Sequence, residues 1–259
     1  VGHAAAFTRL GRLRPFRLPG GEAAVREPRR VAFALLTDLG GAEAVAASEL
    51  PPLAELSAAE RNLLARLVAT GLHAPWTSSL GRLFDGVAAL CGLAGKVSFE
   101  GEAAIALEHL ADRDERGAYP LPLVPAPAPA PVAPGQLPRA ELLELDWRPL
   151  LAALLADLAR GRPGATIAAR FHNAMADAAL ALAQAADREL VVLTGGCFQN
   201  RLLAERVAER VRGAGFTPLL HRQVPANDGG IALGQVAVAA ARLAAATTGD
   251  PPDVPGSSR

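Results

Sequence analysis

Residues 189–207, ELVVLTGGCFQNRLLAERV, are the stretch that decides the fold. An apolar strand over Leu190–Thr194 leads into a turn at Gly195 and Gly196, and Asn200 then opens a helix. Backbone can approach a ligand closely where side chains are absent, and a helix N-terminus directs unpaired N–H groups at an anion such as phosphate. Many α/β proteins also turn on two glycines for packing alone, so a ligand site and a packing turn both remain open on these residues.

A second strand and a second polar turn follow this helix. Phe216–His221 predicts the strand, PANDGG at residues 225–230 predicts the turn, and Ile231–Ala246 predicts a further helix. A β-α-β-α order is typical of an open α/β sheet, in which ligands bind at the carboxyl ends of the strands. We therefore expect Asn200 and Asp228 to face one crevice.

Helical patterns dominate the rest of the chain. Ser57-Ala-Ala-Glu60 is a capping-box sequence ahead of apolar residues at helical spacing. The alternating prolines of residues 120–138 predict an extended linker or surface loop, because proline donates no backbone hydrogen bond. Residues 1–28 predict a loop with one short strand. The other predicted helices cover residues 29–38, 79–93, 147–160 and 166–186.

Charge, hydropathy and cysteine content indicate the general class of the protein. The 259 residues carry 26 basic and 26 acidic side chains, and this zero net charge predicts neither a nucleic-acid nor a membrane partner. No apolar run reaches the roughly 20 residues of a membrane span, so we expect a cytoplasmic protein. Cys91 and Cys197 lie far apart, and we interpret both as small apolar core residues, with a reactive thiol at Cys197 as the alternative.

Four further residues have two interpretations each. Asp228 is either a helix N-cap or a metal ligand beside a phosphate. Asp85, in GRLFDG at residues 81–86, belongs either to a solvated helix face or to a ribose-binding site. Gly101 lies in a predicted turn that would let backbone pass close to a ligand. His172 is interpreted as a packed or surface helix residue rather than a ligand, because no His or Cys lies one turn away.

Six segments together resemble one known family. They are LPGGEAAVREPRR (residues 18–30), SSLGRLFDGVAALCGL (78–93), VSFEGEAAIALE (97–108), ARFHNAMA (169–176), LTGGCFQNRLL (193–203) and VPANDGGIALGQ (224–235). In this order they resemble the C-terminal domain of the HypF carbamoyltransferases, which act in the maturation of nickel–iron hydrogenases.

The resemblance implies a fold, a reaction and a set of site residues. The implied fold is α/β, of the actin-like ATPase or ribonuclease H-like two-lobed kind, helix-rich, and here mainly the second lobe with an incomplete first lobe. The implied reaction passes a carbamoyl group from ATP-derived carbamoyl-adenylate to the C-terminal cysteine of the partner HypE, which then yields the cyanide ligand of the hydrogenase. The resemblance assigns nucleotide contacts to Asp85 (at the ribose), Gly101, Gly195, Gly196 and Asn200, and assigns Asp228 to a divalent metal, zinc or iron. It assigns no catalytic side chain.

The chain also departs from the family pattern. The His-His-x-Ala-His metal motif and the DGTGYG-like segment of the first lobe are absent from the sequence. We therefore interpret the chain as an N-terminally truncated piece with an incomplete metal site, and do not expect it to turn over alone. The predicted segments are a first-lobe remnant (1–28), a helical nucleotide-site segment (29–118), a Pro-rich linker or loop (119–139), a second-lobe α/β core (140–246) and a disordered tail (247–259).

Three functional hypotheses follow. The first is the carbamoyl-transfer domain itself. The second is a nucleotide-binding fragment without catalysis, which the missing histidines favour. The third is a relative of the tRNA threonylcarbamoyl transferases. The zero net charge and the sequence motifs FDGVAAL and GGCFQN disfavour it.

Overall fold

The computed structural model describes residues 1–3, 6–46, 50–127 and 142–248. The chain forms two compact units, each assembled from stretches that are distant in sequence. Unit 1 is drawn from Val1–Arg12, Leu123–Glu144 and Ala179–Arg259, and unit 2 from Leu13–Pro122 and Leu145–Ala178. The five segments predicted from the sequence divide the chain consecutively, whereas these units combine distant stretches. The predicted segments therefore stay a prediction.

Helices make up most of the described residues. The strands are β1 (Gly2–His3), β2 (Ala6–Phe7), β3 (Gly11–Leu13), β4 (Phe16–Arg17), β5 (Trp76–Thr77), β6 (Leu123–Pro125), β7 (Leu143–Leu145), β8 (Leu190–Leu193) and β9 (Thr217–Leu220). The helices are α1 (Glu22–Arg26), α2 (Pro28–Ala46), α3 (Pro51–Ala54), α4 (Ala58–Thr70), α5 (Leu80–Leu90), α6 (Glu102–Leu110), α7 (Trp147–Ala159), α8 (Gly164–Ala186), α9 (Arg201–Gly213) and α10 (Ile231–Thr248). Short 3₁₀ helices cover Gly196–Gln199 and Asp228–Gly230.

Local sequence explains where several helices begin. The Ser57 hydroxyl accepts the Glu60 N–H while the Glu60 carboxylate accepts the Ser57 N–H, so the predicted capping box is confirmed. Ser79 and Asp146 accept backbone N–H groups at the starts of α5 and α7 in the same way. Gly71 ends α4 in the left-handed conformation that glycine adopts without strain.

The core of unit 2 forms where α2 and α5 approach each other closely. Gly86 allows this approach, because a Cβ atom there would lie 2.6 Å from Cδ1 of Leu35 and 3.2 Å from Cγ1 of Val31. On the same helix, Phe84 packs edge-to-face against Phe171, with ring centroids 4.8 Å apart.

A second part of this core surrounds Trp147. Its ring packs edge-to-face on Phe16, and its Nε1 donates a 3.0 Å hydrogen bond to the Arg14 carbonyl. The bulky ring is thus fully buried with its one polar group satisfied.

Unit 1 contains a parallel strand pair. β8 and β9 pair from Leu190↔Thr217 to Leu193↔Leu220, and α9 packs against β9. Leu203, Val207 and Val211 on α9 are buried, as their spacing predicts. The helix α10 also forms where it was predicted, although Ile231 and many of its other apolar side chains are exposed.

Two expectations about irregular segments need correction. The first 28 residues hold four short strands and α1 rather than a loop with one strand. In the Pro-rich segment, Leu123–Pro125 forms the strand β6 at the edge of the sheet β3-β7-β6, where the missing proline N–H is tolerated. Residues 128–141 of that segment and 249–259 of the predicted tail lie outside the described residues.

Across the described ranges, no helix combines the length and the apolar character that a membrane crossing requires.

The close approach of α2 and α5 makes a stability prediction. Gly86→Ala should lower the free energy of unfolding by about 1–3 kcal/mol, because the added methyl group overpacks Leu35 and Val31. Gly81→Ala on the same helix is the matched control, since its added Cβ would come no closer than 3.7 Å to Ser79 Oγ and alanine favours helix. Urea unfolding of both variants measures the difference. Equal or higher stability of Gly86→Ala would contradict the packing described.

Candidate functional site

The pairing of β8 with β9 brings two polar turns together in unit 1. Since the strands are parallel, both turns follow carboxyl ends at the same edge of the pair. The Gly195 N–H donates a 2.7 Å hydrogen bond to the Ala226 carbonyl, which joins the first turn to the second. The two turns therefore lie side by side, while the expectation that Asn200 and Asp228 face one crevice stays a prediction.

Glycine is required at Gly195 and leaves open space at Gly196. Gly195 has φ +103° and ψ 157°, a conformation that only glycine adopts readily. An added Cβ at Gly196 would find nothing within 4 Å. The surface beside this turn is thus accessible to a ligand.

Asn200 and Asp228 are held differently by their turns. The Asn200 side-chain oxygen accepts the Leu203 N–H at 2.8 Å and so caps α9. The capping role considered for Asp228 falls to Asn227, whose side chain accepts the Gly229 N–H at 3.0 Å. Asp228 is exposed, and among the described residues its carboxylate has no hydrogen-bond or ion-pair partner. Its position therefore suits a ligand contact better than a structural role.

A metal site needs more donors than Asp228. Among the described residues, no group of three or more His, Cys, Asp or Glu side chains is placed to hold a metal ion. His172 is fully buried, and its Nδ1 donates a 2.7 Å hydrogen bond to the Ala168 carbonyl. Its interpretation as a packed helix residue is confirmed. The residues present do not by themselves fit a divalent cation, and Asp228 as a metal ligand stays a prediction.

The cysteines are both half-buried and free of disulfides. Burial raises the pKa of Cys91 to about 12, so its thiol stays protonated near neutral pH. Cys197 lies in the 3₁₀ helix that follows the Gly-Gly turn.

Asp85 in unit 2 is buried rather than on a solvated helix face. It is 3% exposed, and its carboxylate lies 2.8 Å from the guanidinium of Arg82. The other side of that guanidinium lies 3.3 Å from Glu100. The solvated-face interpretation is therefore wrong, while the predicted ribose contact is not tested by this arrangement.

Burial also sets the protonation of Asp85. It raises the pKa of Asp85 to about 6, a rise that the positive charge of Arg82 opposes and the negative charge of Glu100 reinforces. Near pH 6 the pair Arg82–Asp85 can therefore exist with or without a proton on the carboxylate.

Gly101 forms the turn that was predicted around it. It has φ +90° and starts α6, and an added Cβ there would meet nothing within 4 Å. Asp85 and Gly101 lie in unit 2, whereas Gly195, Gly196, Asn200 and Asp228 lie in unit 1.

Sequence reasoning missed polar partners in both units. Arg82 pairs with Asp85 at i,i+3 on one helix, a spacing that the sequence shows. Thr194 and His221 are joined by a 2.9 Å hydrogen bond between Oγ1 and Nε2. They directly follow the last paired residues of β8 and β9, so only the strand register could have brought them together.

The fold is that of a helix-rich α/β domain. A crystal structure of full-length HypF in the phosphate- and nucleotide-bound form matches with a TM-score of 0.79 and 29% identity, covering 94% of this chain and 30% of that one. A crystal structure of T. kodakarensis HypF matches in fold, with a TM-score of 0.71, 23% identity, and coverage of 93% of this chain and 31% of that one.

The family follows from the sequence itself. Residues 1–235 match the family described as "Carbamoyltransferase, Kae1-like Domain, second subdomain", and the chain belongs to this family. It is 35% identical over 243 residues to carbamoyltransferase HypF of Synechocystis, covering 89% of this chain and 30% of that protein. It is 38% identical over 244 residues to that of Rhodobacter capsulatus, covering 94% and 29%. The chain thus spans about 30% of the length of these relatives, and the resemblance and the fold class drawn from the sequence are confirmed.

The pKa of Asp85 gives a pH-dependent stability prediction. The unfolded carboxyl group has a pKa of about 3.9, so the raised folded value means that the folded chain holds the proton more tightly. The protonated group stabilises the fold at low pH, and this contribution is lost as the pH rises through about 6. The unfolding free energy of the wild type, relative to that of Asp85→Asn, should therefore decrease as the pH is raised from about 4.5 to about 7.5.

Denaturant titrations of both proteins across this range make the measurement. Comparison with Asp85→Asn removes the titration of all other groups, because those are shared. A difference that stays flat or grows with pH would show that the Asp85 pKa is not raised.

Proposed function

We propose that this chain forms part of an enzyme that transfers a carbamoyl group from carbamoyl-adenylate to the C-terminal cysteine of HypE, in the synthesis of the cyanide ligand of nickel–iron hydrogenases. Membership of the carbamoyltransferase family supports the reaction class. The observation that carries the assignment to a site is the pair of joined turns after β8 and β9. Gly195 and Gly196 leave backbone accessible in the first turn, and Asp228 in the second has no partner among the described residues.

The proposed chemistry rests on positioning. The Gly-Gly turn would hold the nucleotide part of the donor, and Asn200, fixed as the cap of α9, would add a contact beside it. In unit 2, the proposed ribose contact is Asp85 and the proposed backbone contact is Gly101. Holding donor and acceptor thiolate in reacting geometry converts a bimolecular encounter into a step within one complex, an effect of up to several kcal/mol.

Asp228 would supply one carboxylate ligand to a divalent cation, zinc or iron. The described residues do not complete such a site, so no step of the proposed transfer is assigned to the cation. A hard oxygen donor at this position remains compatible with such an ion.

A second candidate is nucleotide binding without transfer. The His-His-x-Ala-His motif is absent from the sequence, and this favours nucleotide binding without transfer. A relative of the tRNA threonylcarbamoyl transferases is less well supported, because the relatives reported above are carbamoyltransferases.

Asp228→Ala tests the proposed transfer. We expect it to lower the rate of HypE carbamoylation at least about tenfold in a chimera where this chain replaces the matching part of the Synechocystis relative. Mass spectrometry of HypE, after reaction with carbamoyl phosphate and ATP, measures the rate. Glu209→Ala is the control, since it removes an exposed carboxylate from α9 of the same unit.

Three outcomes separate the candidates. A normal rate with Asp228→Ala would contradict the role of Asp228. An inactive chimera whose isolated chain still binds AMP in a calorimeter would favour the binding part. An inactive chimera and a chain that binds no nucleotide would contradict both.

A further inference from the structure

An arginine and a tryptophan are stacked at the surface of unit 2. Arg17 on β4 and Trp76 on β5 are direct partners in the register of this antiparallel pair, so their side chains lie on the same face. The guanidinium carbon of Arg17 lies 4.1 Å from the centroid of the Trp76 ring, which is a cation–π contact. Neither residue is among the nucleotide and metal contacts predicted above.

Arg17 is held in place at the end of α4. Its Nη1 donates a 3.0 Å hydrogen bond to the Ala74 carbonyl. Its guanidinium also fills the space that a side chain at Gly71 would need, since a Cβ atom there would lie 2.8 Å from Nη2 of Arg17. The ring, the carbonyl and the glycine together fix the orientation of the guanidinium, and this reduces the conformational entropy that is lost when a partner binds.

The Trp76 side chain is open to solvent. Trp76 is 59% exposed, and Leu72 in the loop that leads to β5 is 63% exposed. The Nε1 of Trp147 donates to the Arg14 carbonyl, whereas among the described residues the Nε1 of Trp76 has no acceptor. Tryptophan and arginine are the residue types that most often dominate the energetics of protein interfaces. An exposed tryptophan of this kind suits contact with the apolar side chains of another protein.

The charge around this pair is positive. No Asp or Glu occurs among residues 1–21 or 61–84, which include β4, β5 and most of α4. Within the described ranges, neither Arg17 nor the exposed Arg66 on α4 pairs with a carboxylate. Other arginines of unit 2 do, as Arg29 does with Glu27 at 2.8 Å. Most guanidinium N–H groups of Arg17 therefore remain for a carboxylate of a partner.

These features favour a protein partner over a nucleic acid. A surface that binds nucleic acid carries a stripe of basic side chains along the phosphate backbone, usually on a basic domain. This chain has equal numbers of basic and acidic side chains, 26 of each. One fixed guanidinium next to an exposed indole is instead complementary to a carboxylate flanked by apolar side chains.

We propose that Arg17, Leu72 and Trp76 form a docking patch for an acidic, apolar segment of a partner protein. The Arg17 guanidinium binds a carboxylate of that segment, while Trp76 and Leu72 contact its apolar side chains. The patch does not depend on carbamoyl transfer, because none of its residues has a role in the proposed function.

Two blocked peptides and an RNA serve as probes of the patch. The peptides are SLDELS and its uncharged counterpart SLNQLS, and the RNA is an oligouridylate. In a calorimeter, we expect SLDELS to bind at least about tenfold more tightly than SLNQLS, and this preference should shrink as the salt concentration rises.

Tryptophan fluorescence locates the binding. The chain has two tryptophans, and Trp147 is fully buried, so quenching by acrylamide reports mainly on Trp76. We expect SLDELS to protect Trp76 from acrylamide.

Variants separate the two kinds of contact. Arg17→Gln should remove the preference for SLDELS because the charge is lost, whereas Arg17→Lys should keep part of it. Trp76→Ala should weaken the binding of both peptides, since it removes the apolar contact. The matched controls are Arg116→Gln and Phe99→Ala, which change an exposed arginine and an exposed aromatic ring elsewhere in the sequence of unit 2.

The proposal has three contradicting outcomes. One is equal affinity for SLDELS and SLNQLS, or no binding of either peptide at millimolar concentration. Another is binding of SLDELS that is unchanged in both Arg17→Gln and Trp76→Ala. The third is tighter binding of the oligouridylate than of SLDELS, which would make the surface a nucleic-acid site. If Arg17→Gln unfolds, the wild-type peptide comparison and the exposed-site variant Trp76→Ala still decide the question.

Failure of the patch is distinguishable from failure of the proposed function. An inactive chimera together with peptide binding that requires Arg17 would contradict the transfer and leave the patch intact. A chimera that carbamoylates HypE, together with a chain that binds neither peptide, would contradict the patch alone.

Discussion

The parallel pairing of β8 with β9 is the constraint on which the candidate site of unit 1 depends. The register from Leu190↔Thr217 to Leu193↔Leu220 places the two following turns at one edge, and the hydrogen bond from the Gly195 N–H to the Ala226 carbonyl ties them together. A shift of one residue in either strand would turn its side chains to the opposite face. Thr194 and His221 would then no longer meet.

Within this constraint, the asparagines of the two turns have structural tasks. Asn200 and Asn227 satisfy backbone N–H groups at the starts of their helical segments. Asp228 has no hydrogen-bond or ion-pair partner among the described residues.

Local patterns in the sequence predicted the helices and the two strands well. The capping box at Ser57, the Gly-Gly turn and the apolar spacing on α9 each depend on residues within a few positions of one another, and such signals can be read directly. The burial of Asp85 could not be read in this way, because it depends on how elements distant in sequence pack around α5. The sheet β3-β7-β6 also escaped prediction, since it joins residues near the N-terminus to a strand at Leu143.

The central claim is that the joined turns after β8 and β9 bind the phosphate-bearing end of a nucleotide. Amide chemical shifts of the isotopically labelled chain during addition of AMP test it most directly. The account predicts that the amides of Gly195, Gly196 and His221 shift together and saturate with a single affinity. Shifts confined to residues outside residues 193–230, or no shifts at millimolar AMP, would contradict it.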